Sequence, residues 1–314
     1  MNLTFAKILC LFLSMSLFIS CKKTDVSLLP NKIEDNTSSP VSGAIINIAQ
    51  PLNKVYFLGH KGAGSNNYNE INMEQSIASF KEAINVLDGV EIDLQMSLDG
   101  TLWLFHDIDI VGTTCTVLPF NSIINMHDKE IAALKLCSRT KHDRVYKWSE
   151  LLDLWNATKN GFYISIEVKE GFTNSLYKKA GGQNFYTSKI AEKLAASITH
   201  LNHPAEQFIT ESSDANFFKA FKKYPNVSRV KSSCFAFEPF DKIVQNALAM
   251  HIDGVSVEFS DPTMTASKIK EAQKRGLIVQ LWTPYTNAEI TTAYKLSPNF
   301  IQTDRTNCKK ALHL

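Results

Sequence analysis

The sequence lacks an excess of either charge: 33 Lys and Arg stand against 31 Asp and Glu in 314 residues, a formal net charge of +2. A nucleic-acid partner calls for a basic field, and this balance supplies none. It also lacks a membrane span. Its apolar run Ile8 to Ile19 is shorter than the roughly 20 residues a helix needs to cross a bilayer. The six cysteines fall at no spacing that suggests zinc. Neither an internal repeat nor a low-complexity run is apparent. What is present is a chain that is 44% hydrophobic, enough for one large core or two modest ones.

The apolar run follows Lys7, the only charged residue among the first twenty, and ends at Ser20-Cys21-Lys22-Lys23. It reads as the apolar segment of a secretory signal. Its end, a cysteine after small Ser20, resembles a bacterial lipoprotein signal, which implies cleavage before Cys21 and lipid on the thiol. Residues 1–20 are therefore expected to be a signal peptide. Residues 21–51, rich in Ser, Asn, Pro and Lys without a sustained period, are expected to be a flexible tether. Residues 52–314 are expected to form the folded domain, held at the bacterial cell envelope and facing the periplasm or the cell surface. Outside the cytoplasm disulfides are allowed. Cys115 and Cys137 flank one excursion of the chain, which they either bridge or leave as scattered thiols with Cys234 and Cys308.

From Val55 onward, strand-like runs at 55–60, 90–96, 101–106, 162–168, 207–210, 229–236, 254–259, 277–282 and 299–303 alternate with helical periods. The helical periods fall at 73–87, 148–158, 186–200, 214–224, 239–250, 264–275 and 286–296. This alternation predicts an α/β protein with a largely parallel sheet, and its size fits an irregular (β/α)8 TIM barrel. Nine strands for eight places put at least one outside the barrel. The turn signal Asp99-Gly100 leaves too few residues for a parallel crossover, so the barrel is expected to be irregular there. Residues 107–147 read as an inserted loop and helix without a strand.

Residues 89–107 read GVEIDLQMSLDGTLWLFHD. Glu91 and Asp93 alternate with Val90, Ile92 and Leu94, so both carboxylates point to one face of a strand. If the hairpin loop is Asp99-Gly100, His106 lies opposite Asp93; if it is Leu98-Asp99, His106 lies opposite Glu91. Carboxylates packed this closely repel unless a cation or proton lies between them. With Glu167 from another strand they offer an oxygen-only donor set, which selects Mg²⁺ or Ca²⁺ over zinc. His60 and His106 each end a strand. Two imidazoles beside a metal suit acid–base work on a phosphodiester, with Lys61 and Lys169 neutralising the phosphate. Asp304 follows the last strand and either joins this group or caps its turn. Trp103, Phe105, Trp148 and Trp155 read as core. His127, His142, His200, His203, His251 and His313 read as surface residues without acidic context.

His60-Lys61-Gly62, Glu74, Glu91-Ile92-Asp93, Asp99-Gly100, His106-Asp107, Glu167-Val168-Lys169, Trp282-Thr283 and Thr303-Asp304 follow one another in an order that resembles the glycerophosphodiester phosphodiesterase family. The resemblance runs over nearly all of residues 55–314. It implies an irregular β/α barrel, a divalent cation, and hydrolysis of a small-molecule glycerophosphodiester to glycerol phosphate and an alcohol. By the same resemblance His60 and His106 are the acid–base pair, and Glu91, Asp93 and Glu167 hold the metal. Lys61 and Lys169 lie near the phosphate, and Trp282 walls the pocket. The family usually has Arg where Lys61 stands, Pro where Met73 stands and Asn where Gln75 stands. Lys keeps the charge but loses the two-pronged grip on phosphate oxygens. Two further readings share these residues: a phospholipase-type enzyme acting on intact phospholipid, and a lipoprotein that binds a phosphorylated ligand without turnover.

Overall fold

The structure, a computed structural model, describes residues 54–67, 71–115, 121–138, 141–159, 161–200 and 204–314. The signal peptide, Cys21 and the tether lie outside the described residues. Eight parallel strands close on themselves: β1 (Tyr56–Gly59), β2 (Gly89–Met96), β7 (Tyr163–Val168), β8 (Phe208–Ser212), β9 (Lys231–Phe235), β10 (Gly254–Glu258), β11 (Ile278–Trp282) and β12 (Phe300–Thr303). Each pairs with the next in this order, and β12 returns to β1. The expected irregular β/α barrel is thus the architecture found. All nine expected strands are present. The ninth is β3 (Leu102–Leu104), which joins β2 antiparallel outside the ring.

Two faces of each barrel strand are buried for different reasons. The outward residues, among them Phe57, Val90, Ile92, Leu94, Ile164, Ile166, Val255 and Leu281, pack against the surrounding helices in the main hydrophobic cluster. The inward residues change character along the axis. At the strand starts, Tyr56, Tyr163 and Phe300 close the barrel with ring centroids 4.8–5.4 Å apart, joined by Leu58 and Ile209. Above them lie buried Ser165, Glu211, Ser233, Gln280 and Gln302. At the strand ends come Glu91, Asp93 and Glu167. An apolar plug below and polar groups above place the chemistry at the C-terminal end of the barrel, where β/α barrels carry their sites.

The irregularity lies between β1 and β2. These strands pair only over Leu58–Gly59 and Gly89–Val90. The upper half of β2 turns to β3 instead. The β2–β3 register pairs Leu94 with Leu104 and Met96 with Leu102, which corrects both registers expected from the sequence. The turn is three residues, Leu98-Asp99-Gly100, with Gly100 at φ +80°, the left-handed position that a three-residue hairpin loop reserves for glycine. His106 therefore faces neither carboxylate across a ladder. It lies beyond the end of β3.

Residues 107–147 also differ from the expectation of a loop and helix without strands. They hold a short helix Asp128–Ala132, a hairpin of β4 (Lys135–Ser138) and β5 (Lys141–Arg144), and β6 (Tyr146–Lys147) paired to β3. Lys-Leu-Cys-Ser and Lys-His-Asp-Arg give these strands no apolar period to read. The insert has its own core of Met73, Trp103, Phe105, Ile110, Ile123, Met126, Ile131, Leu134, Leu136 and Val145. Trp103, Phe105, Trp148 and Trp155 are buried as expected. Among the described residues, no helix is long and apolar enough to cross a membrane.

Candidate active site

The turn after β1 sets the site's first edge. Lys61 (φ +53°) and Gly62 (φ +97°) fold it back tightly. A Cβ on Gly59 would come 1.7 Å from the Gly62 carbonyl oxygen, so only glycine fits there. This fold aims the Lys61 backbone N–H at Glu91, where it donates to Oε2 at 2.8 Å. It also places His60 with Nε2 4.0 Å from the same carboxylate oxygen and Nδ1 2.8 Å from Asp304 Oδ1. Asp304 is therefore a partner of His60 and more than a turn cap.

Glu91 and Asp93, two residues apart on β2, meet Glu167 from β7, whose register sets it beside Asp93. One oxygen from each lies within 4.8 Å of the others. Asp93 Oδ2 accepts from Gln75 Nε2 at 2.6 Å, while its Oδ1 lies 3.1 Å from Lys169 Nζ. Lys169 also donates to Glu167 Oε1 at 2.7 Å. Lys61 Nζ is 3.6 Å from Glu74. His106 Nδ1 is 2.8 Å from Asp107 Oδ1. The five expected catalytic and metal-binding residues thus converge at one end of the barrel. Lys61, Trp282 and both histidines line one open cavity of about 560 Å³.

The charges in this group do not balance. Burial, reinforced by Asp93, Glu167 and Glu211, pushes the Glu91 carboxyl well above its ordinary range. Burial also pushes Glu167 up, against the pull of Lys169. Asp93 behaves oppositely: burial disfavours its charge, but Lys169, His106, Lys61 and His60 hold it low. Three carboxylates meet one ammonium in contact with them, which leaves about two charges uncompensated. A divalent cation with oxygen preference matches that deficit and this donor set, so the residues fit the expected metal. For His106, burial opposes protonation, yet Asp93 and the bond to Asp107 raise its pKa above the ordinary imidazole value.

Several contributors were not read from the sequence. Glu211, at the end of β8 and in register with Glu167, is fully buried beneath the trio and accepts from Ser165 Oγ and, at 2.6 Å, from Gln302 Nε2. Its signal was an acid directly after an apolar run, as at Glu167, but the expected strand stopped one residue short of it. His127, read as lacking acidic context, is exposed but bonds Asp99 at 2.8 Å, because the hairpin turn folds onto its helix. His142 lies beside the Cys115–Cys137 disulfide, which is formed.

Comparison with known proteins agrees with this geometry. The model of the glycerophosphoryl diester phosphodiesterase family matches residues 60–308. The chain is a phosphoric diester hydrolase built on a β/α barrel. A curated glycerophosphodiester phosphodiesterase from Caldanaerobacter subterraneus subsp. tengcongensis is 23% identical over 255 residues, 80% of this chain and 94% of that one. The chain belongs to the glycerophosphoryl diester phosphodiesterase family. In fold it is similar to a glycerophosphodiester phosphodiesterase from Parabacteroides distasonis (TM-score 0.66, 17% identity, covering 83% of this chain and 98% of that one). It is also similar to an Oleispira antarctica phosphodiesterase solved with its product sn-glycerol-3-phosphate (TM-score 0.65, 14% identity, covering 82% and 97%).

Proposed function

We propose that this enzyme hydrolyses glycerophosphodiesters to glycerol phosphate and an alcohol, with His60 and His106 as proton carriers and Glu91, Asp93 and Glu167 as ligands of Mg²⁺ or Ca²⁺. The observation that carries the reading is the shared state of the two imidazoles. Each has Nδ1 tied to a carboxylate at 2.8 Å, Asp304 for His60 and Asp107 for His106. Each therefore keeps Nε2 for the substrate, in a tautomer and orientation fixed from behind. One Nε2 takes the proton of the attacking oxygen and the other returns a proton to the leaving oxygen. Lys61 and Lys169, both largely buried, contribute positive charge toward the phosphate. Trp282 forms an apolar wall of the cavity. Glu91, Asp93 and Glu167 would hold the divalent cation, which would supply positive charge to offset the negative charge that builds up on the phosphate.

A second reading, a lipid-borne diester as substrate, is favoured by one observation. Phe237 is 76% exposed and packs edge-on against Trp282 at 5.3 Å, extending the apolar wall outward. The anchoring of the enzyme through lipidated Cys21, at the bacterial envelope, is part of the same proposal and rests on the sequence of residues 1–23. Turnover of glycerophosphocholine and of inositol phospholipids, each with and without EDTA, tests the substrate and the cation together. Activity on the soluble diester that EDTA abolishes is expected. Undiminished activity in EDTA would remove the cation from the proposal.

A further inference from the structure

His106 is reached by a chain of contacts that begins well outside the carboxylate group. Asp107 Oδ1 meets His106 Nδ1, and its other oxygen, Oδ2, accepts from Thr113 Oγ1 at 2.5 Å. Both oxygens of Asp107 are thus engaged, one by the imidazole and one by the threonine. Without the second contact the carboxylate is free to turn about its own axis, and the imidazole loses the partner that orients it. Thr113 is itself clamped by backbone. Its carbonyl accepts from Cys137 N at 3.0 Å, and Cys115 N donates to Lys135 O at 2.8 Å. The Cys115–Cys137 disulfide, with Cα atoms 5.1 Å apart, closes this clamp. Gly112, Thr113, Cys137 and Ser138 form one wall of the cavity that holds both histidines.

We propose that Thr113 is a positioning residue for His106, and that the Cys115–Cys137 disulfide keeps Thr113 in place, so that opening the disulfide slows turnover. The proposal rests on the reading of His106 as a proton carrier. In the opening step a dithiol reductant attacks one sulfur. The Cys115–Cys137 bond breaks, two thiols form from the reductant's two S–H protons, and the reductant closes into its own cyclic disulfide. The bridge is within a reductant's reach, since Cys115 is exposed and Cys137 half-buried, while Cys234 and Cys308 are already thiols and have nothing to reduce. His142 Nδ1, 3.2 Å from Cys137 Sγ and 3.6 Å from Cys115 Sγ, lies within reach to donate a hydrogen bond to the departing thiolate.

The test uses the full chain with glycerophosphocholine as substrate. It compares the oxidised enzyme, the enzyme in dithiothreitol, Thr113→Val, Thr113→Ser and His106→Ala, and adds cation calorimetry and a melting curve for each. Thr113→Val should lower kcat by about ten-fold, the worth of one hydrogen bond to a charged group, with KM and cation affinity unchanged. Thr113→Ser should restore most of the loss. Dithiothreitol should lower the wild-type kcat by a similar factor, reversibly on reoxidation, and add little to Thr113→Val because the two act on one contact. Wild-type kcat in Thr113→Val, or a loss that extends to cation affinity and that serine does not rescue, would overturn the positioning role. A reduced enzyme with full kcat would overturn the part played by the disulfide. If His106→Ala is active, the proton-carrier reading falls and this proposal with it; if His106→Ala is inactive and Thr113→Val is not, only this proposal falls.

Discussion

Asp304 Oδ1 lies 2.8 Å from Nδ1 of His60, a residue 244 positions earlier in the chain. The same carboxylate accepts from Ser65 N at 2.7 Å. Burial works against its charge, but the bond to His60 holds its pKa below the ordinary carboxylate value. It therefore accepts, and His60 carries its proton on Nδ1. Asp304→Asn keeps the shape but presents an amide that can reverse this arrangement. We expect kcat to fall by about 10²-fold, the lower end of what acid–base catalysis contributes, with cation affinity by calorimetry unchanged. A wild-type kcat would reduce Asp304 to a turn cap.

The proposed cation ligands and the proposed proton carriers should separate by mutation. His106→Ala is expected to cut kcat by about 10²–10⁴-fold while calorimetry still detects the cation. Asp93→Ala should weaken cation binding itself, and excess Mg²⁺ or Ca²⁺ should restore part of the rate. Loss of the cation in His106→Ala would contradict this division of labour.

The carboxylate group makes stability depend on pH in a defined direction. Glu91 is pushed up by burial and by its neighbours Asp93, Glu167 and Glu211, and burial also raises Glu167 and Glu211. A carboxyl raised on folding holds its proton more tightly in the folded chain, so stability falls as pH climbs above about 4.5 through the folded value. Asp93 works oppositely, its contribution present above about pH 4 and lost only in acid. Above about pH 5 Asp93 is ionised in both the folded and the unfolded chain, so it does not alter the direction there. The cation-free protein should melt lower at about pH 8 than at about pH 5.5, and added Ca²⁺ or Mg²⁺ should raise Tm more at the higher pH. A cation-free Tm that increases over this window would sink the argument.

Glu211 should be replaceable at a gain in stability. Its Oε1 accepts from Ser165 and Gln302, and a glutamine keeps that oxygen while removing a buried ionisable group. Glu211→Gln is expected to raise the cation-free Tm at about pH 8 by a few degrees, on the order of 1 kcal/mol. A lower Tm would mean that the negative charge itself is needed.

A chain that starts at Pro51 should fold and keep its activity, because residues 22–50 carry no periodic apolar positions. Absence of a cooperative melt in that truncation would show that the segment packs on the barrel.

What could be read from the sequence was whatever sits on a regular element with a strong period. The nine strands and seven longer helices were legible because β/α alternation repeats along the chain. The acids of β2 stood out because two charges in an otherwise apolar strand break its pattern. His106 was expected beside His60 from its place near a strand end, and the two line one cavity, but its register was misread, since one extra turn residue at Leu98-Asp99-Gly100 changes which residues pair. Partners far apart in sequence left no local mark: nothing near His60 announces Asp304, and nothing near Glu211 announces Gln302. The hairpin of β4 and β5 escaped notice because its strands, buried on little of either face, show no apolar alternation.

Lys169 gives the protein an internal counter-ion. Its ammonium, 2.7 Å from Glu167 and 3.1 Å from Asp93, partly screens the carboxylates that would otherwise drive the strand ends apart. The barrel is therefore expected to assemble without an ion and to hold its shape, at a lower Tm, when none is bound. On the proposed cation dependence, ion supply would act chiefly as a throttle on rate and only secondarily on stability.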